Sequence, residues 1–250
     1  MIRFNPKLCL TAIGMIILLV SGAHAQTAPP TWPPRGLRRD SITEHDSIRS
    51  ITPFFKPATT AQKTPDVDGF IQRWLLLEPI NKSIQSNIVF TVDYLKKAFD
   101  TSYFPDQFTV IPKDGEKVKV GEQELAWHAL ESPTFNVKLF RFAYGLHKQS
   151  YSVLFWAVTI VNSPSEMKNV RLAVGSNGGS MWWLNGKQAV ILDGDRRMVM
   201  DDGASARLTL NKGKNILRAA VINGPGLSDF CVRFLDENGA PIKNLTITTN

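Results

Sequence analysis

Histidine is the side chain on which most hydrolytic chemistry at neutral pH turns, and this sequence holds four, His24, His45, His128 and His147. Acyl transfer needs a serine or cysteine nucleophile within reach of such a base. No Gly-x-Ser-x-Gly elbow occurs, and the nearest run, Gly203-Ala204-Ser205-Ala206-Arg207, ends on Arg instead of Gly. Ser228 follows the Gly224-Pro225-Gly226 turn and reads as a strand-entry residue. His128, in Ala126-Trp127-His128-Ala129, has no partner motif and reads as a structural strand histidine. The expectation is therefore no catalytic residue, with a carbohydrate esterase as the alternative.

Metal chemistry would need clustered ligands. Asp193, Asp195, Asp201 and Asp202 gather around Arg196 and Arg197, and carboxylates suit hard cations. Their spacing is not that of a calcium loop, and the arginines can neutralise them. A salt-bridged turn is expected, with no metal and no cofactor. Cys231, in Phe230-Cys231-Val232-Arg233-Phe234, reads as a buried small hydrophobe.

Aromatic residues offer a different chemistry. Sugars present apolar C–H faces and rings of hydroxyls, which pair with aromatic platforms and with Asn, Asp and Arg. Trp182 and Trp183 are neighbours in a strand, so they point to opposite faces. Asn185 ends that strand at a hairpin, and the returning strand leads to the Asp193–Arg197 loop. A carbohydrate site is accordingly expected where Trp183, Asn185, Asp195 and Arg197 meet. Trp182 facing outward, with Trp183 in the core, satisfies the same alternation.

The elements that would position these residues follow from pattern. Arg3 and Lys7 precede the thirteen-residue apolar run Leu8–Val20, and Ser21-Gly22-Ala23-His24-Ala25 supplies small residues for cleavage. Residues 1–25 read as a secretory signal, too short to span a bilayer. Its removal leaves Cys231 alone, so no intrachain disulfide forms in the mature chain. Residues 26–65, with seven prolines and polar filler, read as a disordered leader in which Trp32, Phe54 and Phe55 are exceptions that could dock. The net charge of +7 splits into +2 for the signal, +3 for the leader and +2 for residues 66–250. No basic stripe belongs to the folded part, which argues against nucleic acid.

From Asp66 onward strands and turns dominate. Gly69–Leu77, Val118–Val120, Glu124–Leu130 and Val137–Phe142 read as strands, and Tyr151–Val161 as a central strand buried on both faces. Val170–Val174, Met181–Leu184, Ala189–Leu192, Arg207–Leu210, Asn215–Ile222 and Asp229–Leu235 follow. Asn185-Gly186 is a strong hairpin turn, and Thr91–Phe99 is the one helix, capped by Thr91. Short strands at this spacing imply an antiparallel β-sandwich over residues 66–250.

Within Lys168–Leu235, the runs Val170–Gly178, Trp182–Lys187, Leu208–Asn215 and Phe230–Asp236 carry a further signal. In that order they resemble the galactose-binding-like jelly roll appended to secreted polysaccharide-degrading enzymes. The likeness is greatest to the non-catalytic module that precedes the catalytic domain of bacterial acetylxylan esterases. Asp68-Gly69-Phe70 through Leu77-Glu78-Pro79 is similar to the opening of that module. Where related modules carry acidic residues after Gly175, this chain has Ser176-Asn177-Gly178-Gly179, so neither a cation-binding nor a hydroxyl-binding role is carried to that loop. The resemblance implies an exported, periplasmic or extracellular, non-catalytic protein. Its implied partners are a polysaccharide or oligosaccharide, with xylan breakdown as the setting, and secreted glycan-degrading enzymes. With the last strand ending close to Asn250, no appended catalytic domain is expected. A module that docks another protein without any ligand is the third reading.

Overall fold

Within Tyr151–Val161, the run Val153–Val161 is so nearly continuous in apolar and β-branched residues that it can be stable only where both faces of the strand are covered, and the fold is built around it. A computed structural model describes residues 49–250. The signal reading of residues 1–25, and the leader reading as far as residue 48 with Trp32 and His45, lie outside these residues.

The described chain forms fourteen strands. The first half contributes β1 (Lys56–Pro57), β2 (Arg73–Leu77), β3 (Ile80–Asn81), β4 (Lys117–Val120), β5 (Gln123–Glu131) and β6 (Val153–Ser163). Then come β7 (Met167–Ser176), β8 (Gly179–Leu184), β9 (Lys187–Leu192), β10 (Gly203–Ala204) and β11 (Leu208–Leu210). The last are β12 (Gly213–Asn223), β13 (Phe230–Leu235) and β14 (Thr246–Thr248). All pairings are antiparallel, as expected for a β-sandwich. The larger sheet has ten strands in the order β1-β5-β2-β6-β12-β8-β9, with β3 and β14 added to β6 and β4 to β5. In the smaller sheet β7 pairs with β13, β10 and β11. β12 lies beside β6 from Gly213↔Ser163 to Asn223↔Val153, so every loop at one end of this pair belongs to one rim of the sandwich.

The two faces of the large sheet bury different layers. Phe155, Ala157, Trp182, Leu217, Ala219 and Val221 face the small sheet, where they meet Leu172, Val174, Val232 and Phe234. On the outer face, Leu75, Trp127, Trp156, Trp183 and Ala220 pack beneath helix α1 (Val92–Asp100) and the segment that follows it. Leu95 and Phe99 supply the buried face of α1, and Thr91 caps it, its Oγ1 accepting from the Tyr94 amide at 3.2 Å. A cap of this kind stabilises by about 1 kcal/mol. Because a third layer covers the sheet, Trp182 and Trp183 are both buried although they point in opposite directions.

Two segments depart from the sequence reading. Val137–Phe142 was expected as a strand, but only Val137 bridges to Phe230, and Leu139–Gly145 forms a second helix, α2. Leu139, Phe142 and Ala143 recur at helical spacing and are all buried, which outweighs the alternation of Val137 and Leu139. The second departure is in the leader. Phe55 is buried against Phe142 with ring centroids 6.1 Å apart, and Lys56–Pro57 extends the sheet by pairing with β5. Farther along, Lys63 bridges to Ile247 and binds Glu131 at 2.9 Å.

Candidate functional site

At the end of the sandwich where β6 begins and β12 ends, three loops and a short 3-10 turn converge. They are the Ser176–Gly179 link between β7 and β8, the Asp193–Asp202 loop after β9, the Asn223–Asp229 loop after β12, and the turn Asn87–Val89. Gly178 is where the first link must pass close to its neighbour, because a Cβ there would lie 2.3 Å from the Ile222 carbonyl oxygen. Ser176 fixes the link by donating to the Gly178 carbonyl at 2.6 Å, and the Asn177 amide donates to the Asp229 carbonyl at 3.0 Å.

Asn87 joins the segments. Its Nδ2 donates to Asp195 Oδ1 at 3.0 Å and to the Pro225 carbonyl at 3.1 Å, while its Oδ1 accepts from the Gly224 amide at 2.9 Å. Arg196 donates to the Asp193 carbonyl at 2.8 Å and pairs with Asp202. A second ion pair joins Arg233 to Asp201. The Asp–Arg cluster of the sequence is thus largely a salt-bridged loop. Among the described residues, no group of three or more His, Cys, Asp or Glu side chains is placed to hold a metal ion.

These loops leave a hollow of about 280 Å³ lined by Asn87, Asn177, Asp195, Arg197, Pro225 and Leu227, together with Arg196 and Gly226. Among the described residues, the Arg197 guanidinium and the Asn177 carboxamide have no hydrogen-bond partner, and Asp195 keeps its second oxygen free. The hollow therefore presents a free donor set, a free amide and a free acceptor side by side. Below it, Asn223 Oδ1, Ser228 Oγ and Asp229 Oδ1 are buried without partners, although Asn223 Nδ2 donates to the Gly226 carbonyl at 2.8 Å. Burial pushes the Asp229 carboxyl up to about 6, against the opposing pull of Lys138 3.9 Å away.

Of the four residues expected to form the site, two are brought together. Asp195 and Arg197 line the hollow. Trp183 does not: it is 5% exposed, stacked on Trp156 at 5.5 Å and 19°, with Phe99 and Phe108 against its edges. Asn185 lies at the opposite end of β8, donating to Asn215 Oδ1 at 2.9 Å and accepting from the Ile216 amide at 2.8 Å. The reason is the hairpin itself. β8 pairs with β9 from Ser180↔Leu192 to Leu184↔Lys187, so the returning strand carries Asp195 away from Asn185 by the full length of the strand. Asn87, Asn177 and Leu227 were missed. Asn177 lies in the loop to which the sequence reading carried no binding role, and Asn87 reaches the rim only through contacts distant in sequence.

The histidines are placed elsewhere. His128 Nε2 lies 3.3 Å from Glu78 Oε1, and its ring packs on Phe142. Lys148 binds the other Glu78 oxygen at 2.9 Å. Burial acts to raise the Glu78 carboxyl, but the hydrogen bonds from Lys148 and His128 outweigh it and hold it below its usual value. Among the described residues, neither His128 nor His147 has a serine hydroxyl as a hydrogen-bond partner.

Fold and rim together define a β-sandwich with a polar loop-end hollow. No protein-family model matches the chain, and no curated protein matches it. Among solved structures, the PA14 domain of the MpAFP antifreeze protein is similar at a TM-score of 0.41 and 10% identity, over 77% of this chain and 96% of that one. The PA14 sugar-binding domain from an RTX adhesin gives 0.37 and 11%, over 70% and 96%. A β-glucosidase from Kluyveromyces marxianus in complex with glucose gives 0.30 and 16%, over 48% and 15%. Likeness this distant assigns neither ligand nor activity to the chain.

Proposed function

We propose that the protein is an exported, non-catalytic module that binds a saccharide in the loop-end hollow. The observation that carries this reading is that the Asn177 carboxamide, the Arg197 guanidinium and the second carboxylate oxygen of Asp195, whose first oxygen accepts from Asn87, are without a partner among the described residues on the walls of one concavity. A sugar hydroxyl both donates and accepts, so it needs donors and acceptors together. Arg197 alone would suit an anion, but the free Asp195 oxygen beside it favours a ligand that donates as well as accepts. Leu227, half exposed at the rim, offers an apolar contact to a ring face. Without an aromatic platform there, binding is expected to be weak. Plant polysaccharide, and xylan in particular, is the ligand class implied by the module resemblance of Lys168–Leu235, and export follows from the signal reading.

The test is retention on insoluble xylan by the wild type and by an Asp195→Ala, Arg197→Ala double variant. Both side chains are exposed at a loop, so folding is expected to survive, as a melting curve would verify. Loss of retention with an unchanged melting point supports the reading, and equal retention sinks it.

A second reading has its own observation. Ile88, Val89, Val199, Met200 and Leu227, all on the segments around this rim, are among the few large hydrophobic side chains left exposed in the described residues. Such an apolar fringe suits a protein partner, such as a secreted glycan-degrading enzyme, as well as a glycan. Replacing Val199 and Met200, which do not line the hollow, by Ser separates the two, because it would abolish capture of such an enzyme and leave polysaccharide retention largely intact.

A further inference from the structure

Among the described residues, Tyr151 is the one Phe, Tyr or Trp side chain that is neither buried nor half-buried, at 49% exposed. Its hydroxyl has no partner among those residues. A single exposed ring on a loose segment would mean little, but this one is held in place. The Gln149 carboxamide donates to the Tyr151 carbonyl at 2.7 Å and to the Ser152 carbonyl at 3.1 Å. Ser152 sits at φ +52°, a left-handed conformation that serine rarely adopts without support. Its Oγ donates to the Ile84 carbonyl at 2.6 Å, and its carbonyl accepts from the Lys82 amide at 2.8 Å. The Tyr151 ring leans on Phe140 with centroids 5.3 Å apart, and Phe140 is stacked in turn on Tyr144 at 5.8 Å and 11°.

Two sets of contacts put this ring beside the rim hollow. The Ser152 amide donates to the Gly224 carbonyl at 2.9 Å, and the Gly224 amide donates to Asn87 Oδ1 on the hollow wall. Gly224 is two residues from Gly226, which also lines the hollow. Given the spacing of consecutive Cα atoms and of hydrogen-bonded pairs, Tyr151 and Gly226 are at most about 17 Å apart. From the other side, Lys138, two residues before Phe140, lies 3.9 Å from Asp229, whose carbonyl accepts from the Asn177 amide at 3.0 Å.

We infer that Tyr151 is the stacking subsite of an extended glycan site, in which a linear oligosaccharide places the hydroxyls of one ring in the hollow and lays the apolar face of another on Tyr151. This rests on the saccharide reading of the hollow and narrows its ligand to a chain of several sugar rings. The hollow supplies donors and acceptors without a platform, and Tyr151 supplies the platform that the hollow lacks. A ring already fixed by its backbone and by Phe140 loses little freedom when a sugar settles on it. A protein partner suits the spot less well, because the exposed side chains next to the ring are His147, Lys148 and Gln149, and charged groups are depleted at the centre of protein interfaces.

Amide-shift titrations of the labelled protein with xylobiose and with xylohexaose test this, the first sugar long enough for the hollow alone and the second long enough to reach Tyr151. The proteins are the wild type, Tyr151→Ala, Tyr151→Phe, and Asp195→Ala with Arg197→Ala at the rim, each with a melting curve. Xylohexaose affinity is expected to fall about tenfold in Tyr151→Ala and to stay within about twofold in Tyr151→Phe, with xylobiose affinity unchanged in both. In the wild type, only xylohexaose should shift the Tyr151 and Ser152 amides, a result that needs no variant to fold. Xylohexaose binding that is lost in the rim variant but indifferent to Tyr151→Ala overturns the stacking subsite and keeps the hollow. Affinity lowered by Tyr151→Ala but untouched by the rim changes supports the stacking subsite and overturns the hollow. Xylobiose weakened by Tyr151→Ala as much as xylohexaose overturns the extended site. No saturable shift with either sugar overturns the inference.

Discussion

Replacing Trp183 by Ala separates the two roles that its sequence position permits. The side chain is stacked on Trp156, flanked by Phe99 and Phe108, and only 5% exposed. Its partners come from β6, from α1 and from the segment after α1, which the large sheet must hold in place. Truncating a buried Trp to Ala costs roughly 3–5 kcal/mol, because the cavity collapses only partly. In a domain of this size each kcal/mol moves the melting point by about 2–4 °C. The melting temperature should therefore fall by roughly 6–20 °C, and it can be followed by circular dichroism. Binding measured well below the transition should be retained, since Trp183 does not line the rim hollow. A melting temperature within about 2 °C of wild type, together with lost binding, would refute the three-layer packing and restore Trp183 as a platform.

Other outcomes follow from single residues. Asp229 is held at about 6 in the folded state against 3.8 unfolded, so the folded state binds its proton more tightly. Its contribution is fully present below pH 4 and is lost as the pH rises through 6. Denaturant titrations should show Asp229→Asn gaining on wild type by on the order of 2 kcal/mol between pH 4 and pH 7, and a pH-independent difference would contradict this. Cys231 is buried, and that burial, with Asp201 nearby, pushes its thiol up to about 12. It should stay unreactive toward a disulfide reagent at pH 8 until the protein is denatured. Asn215, fully buried, accepts from the Asn211 amide at 2.9 Å and from Asn185 Nδ2 at 2.9 Å. Asn215→Ala should lower stability by about 2–4 kcal/mol in urea titrations while leaving rim binding unchanged, because it acts at the far end of β8.

The fold was legible wherever local pattern and burial agree. Tyr151–Val161 reads as a doubly buried strand because Val153–Val158 is apolar throughout and its one interior polar residue, Thr159, is β-branched, and Asn185-Gly186 reads as a turn because both residues adopt positive φ, +50° and +78°. Leu139–Gly145 was misread because two alternating apolar residues mimic a strand over so short a span, and only tertiary burial of Phe142 and Ala143 decides for a helix. The rim proposed as a binding site was half legible. Asp195 and Arg197 stand out as charges in a loop that ends a strand, but which end of the sandwich they occupy depends on pairing direction. Adjacency in a hairpin was mistaken for adjacency in space. Asn87 could not be found from local sequence, since its contacts with Gly224 and Asp195 span more than a hundred residues. The cover over Trp183 was likewise hidden, because Phe108 and Trp183 meet only after the chain folds back over the sheet.

The claim on which the functional account depends is that the loop-end rim is a binding surface. It is tested most directly by recording backbone amide shifts of the isotopically labelled protein during titration with xylohexaose. The account predicts that saturable shifts gather on Asn87, Asn177, Asp195–Arg197 and Gly226–Leu227, while amides around Asn185 and Asn215 at the opposite end stay still. Shifts confined to the opposite end, or no saturable shift on the rim residues with xylohexaose or any other plant oligosaccharide, would contradict it.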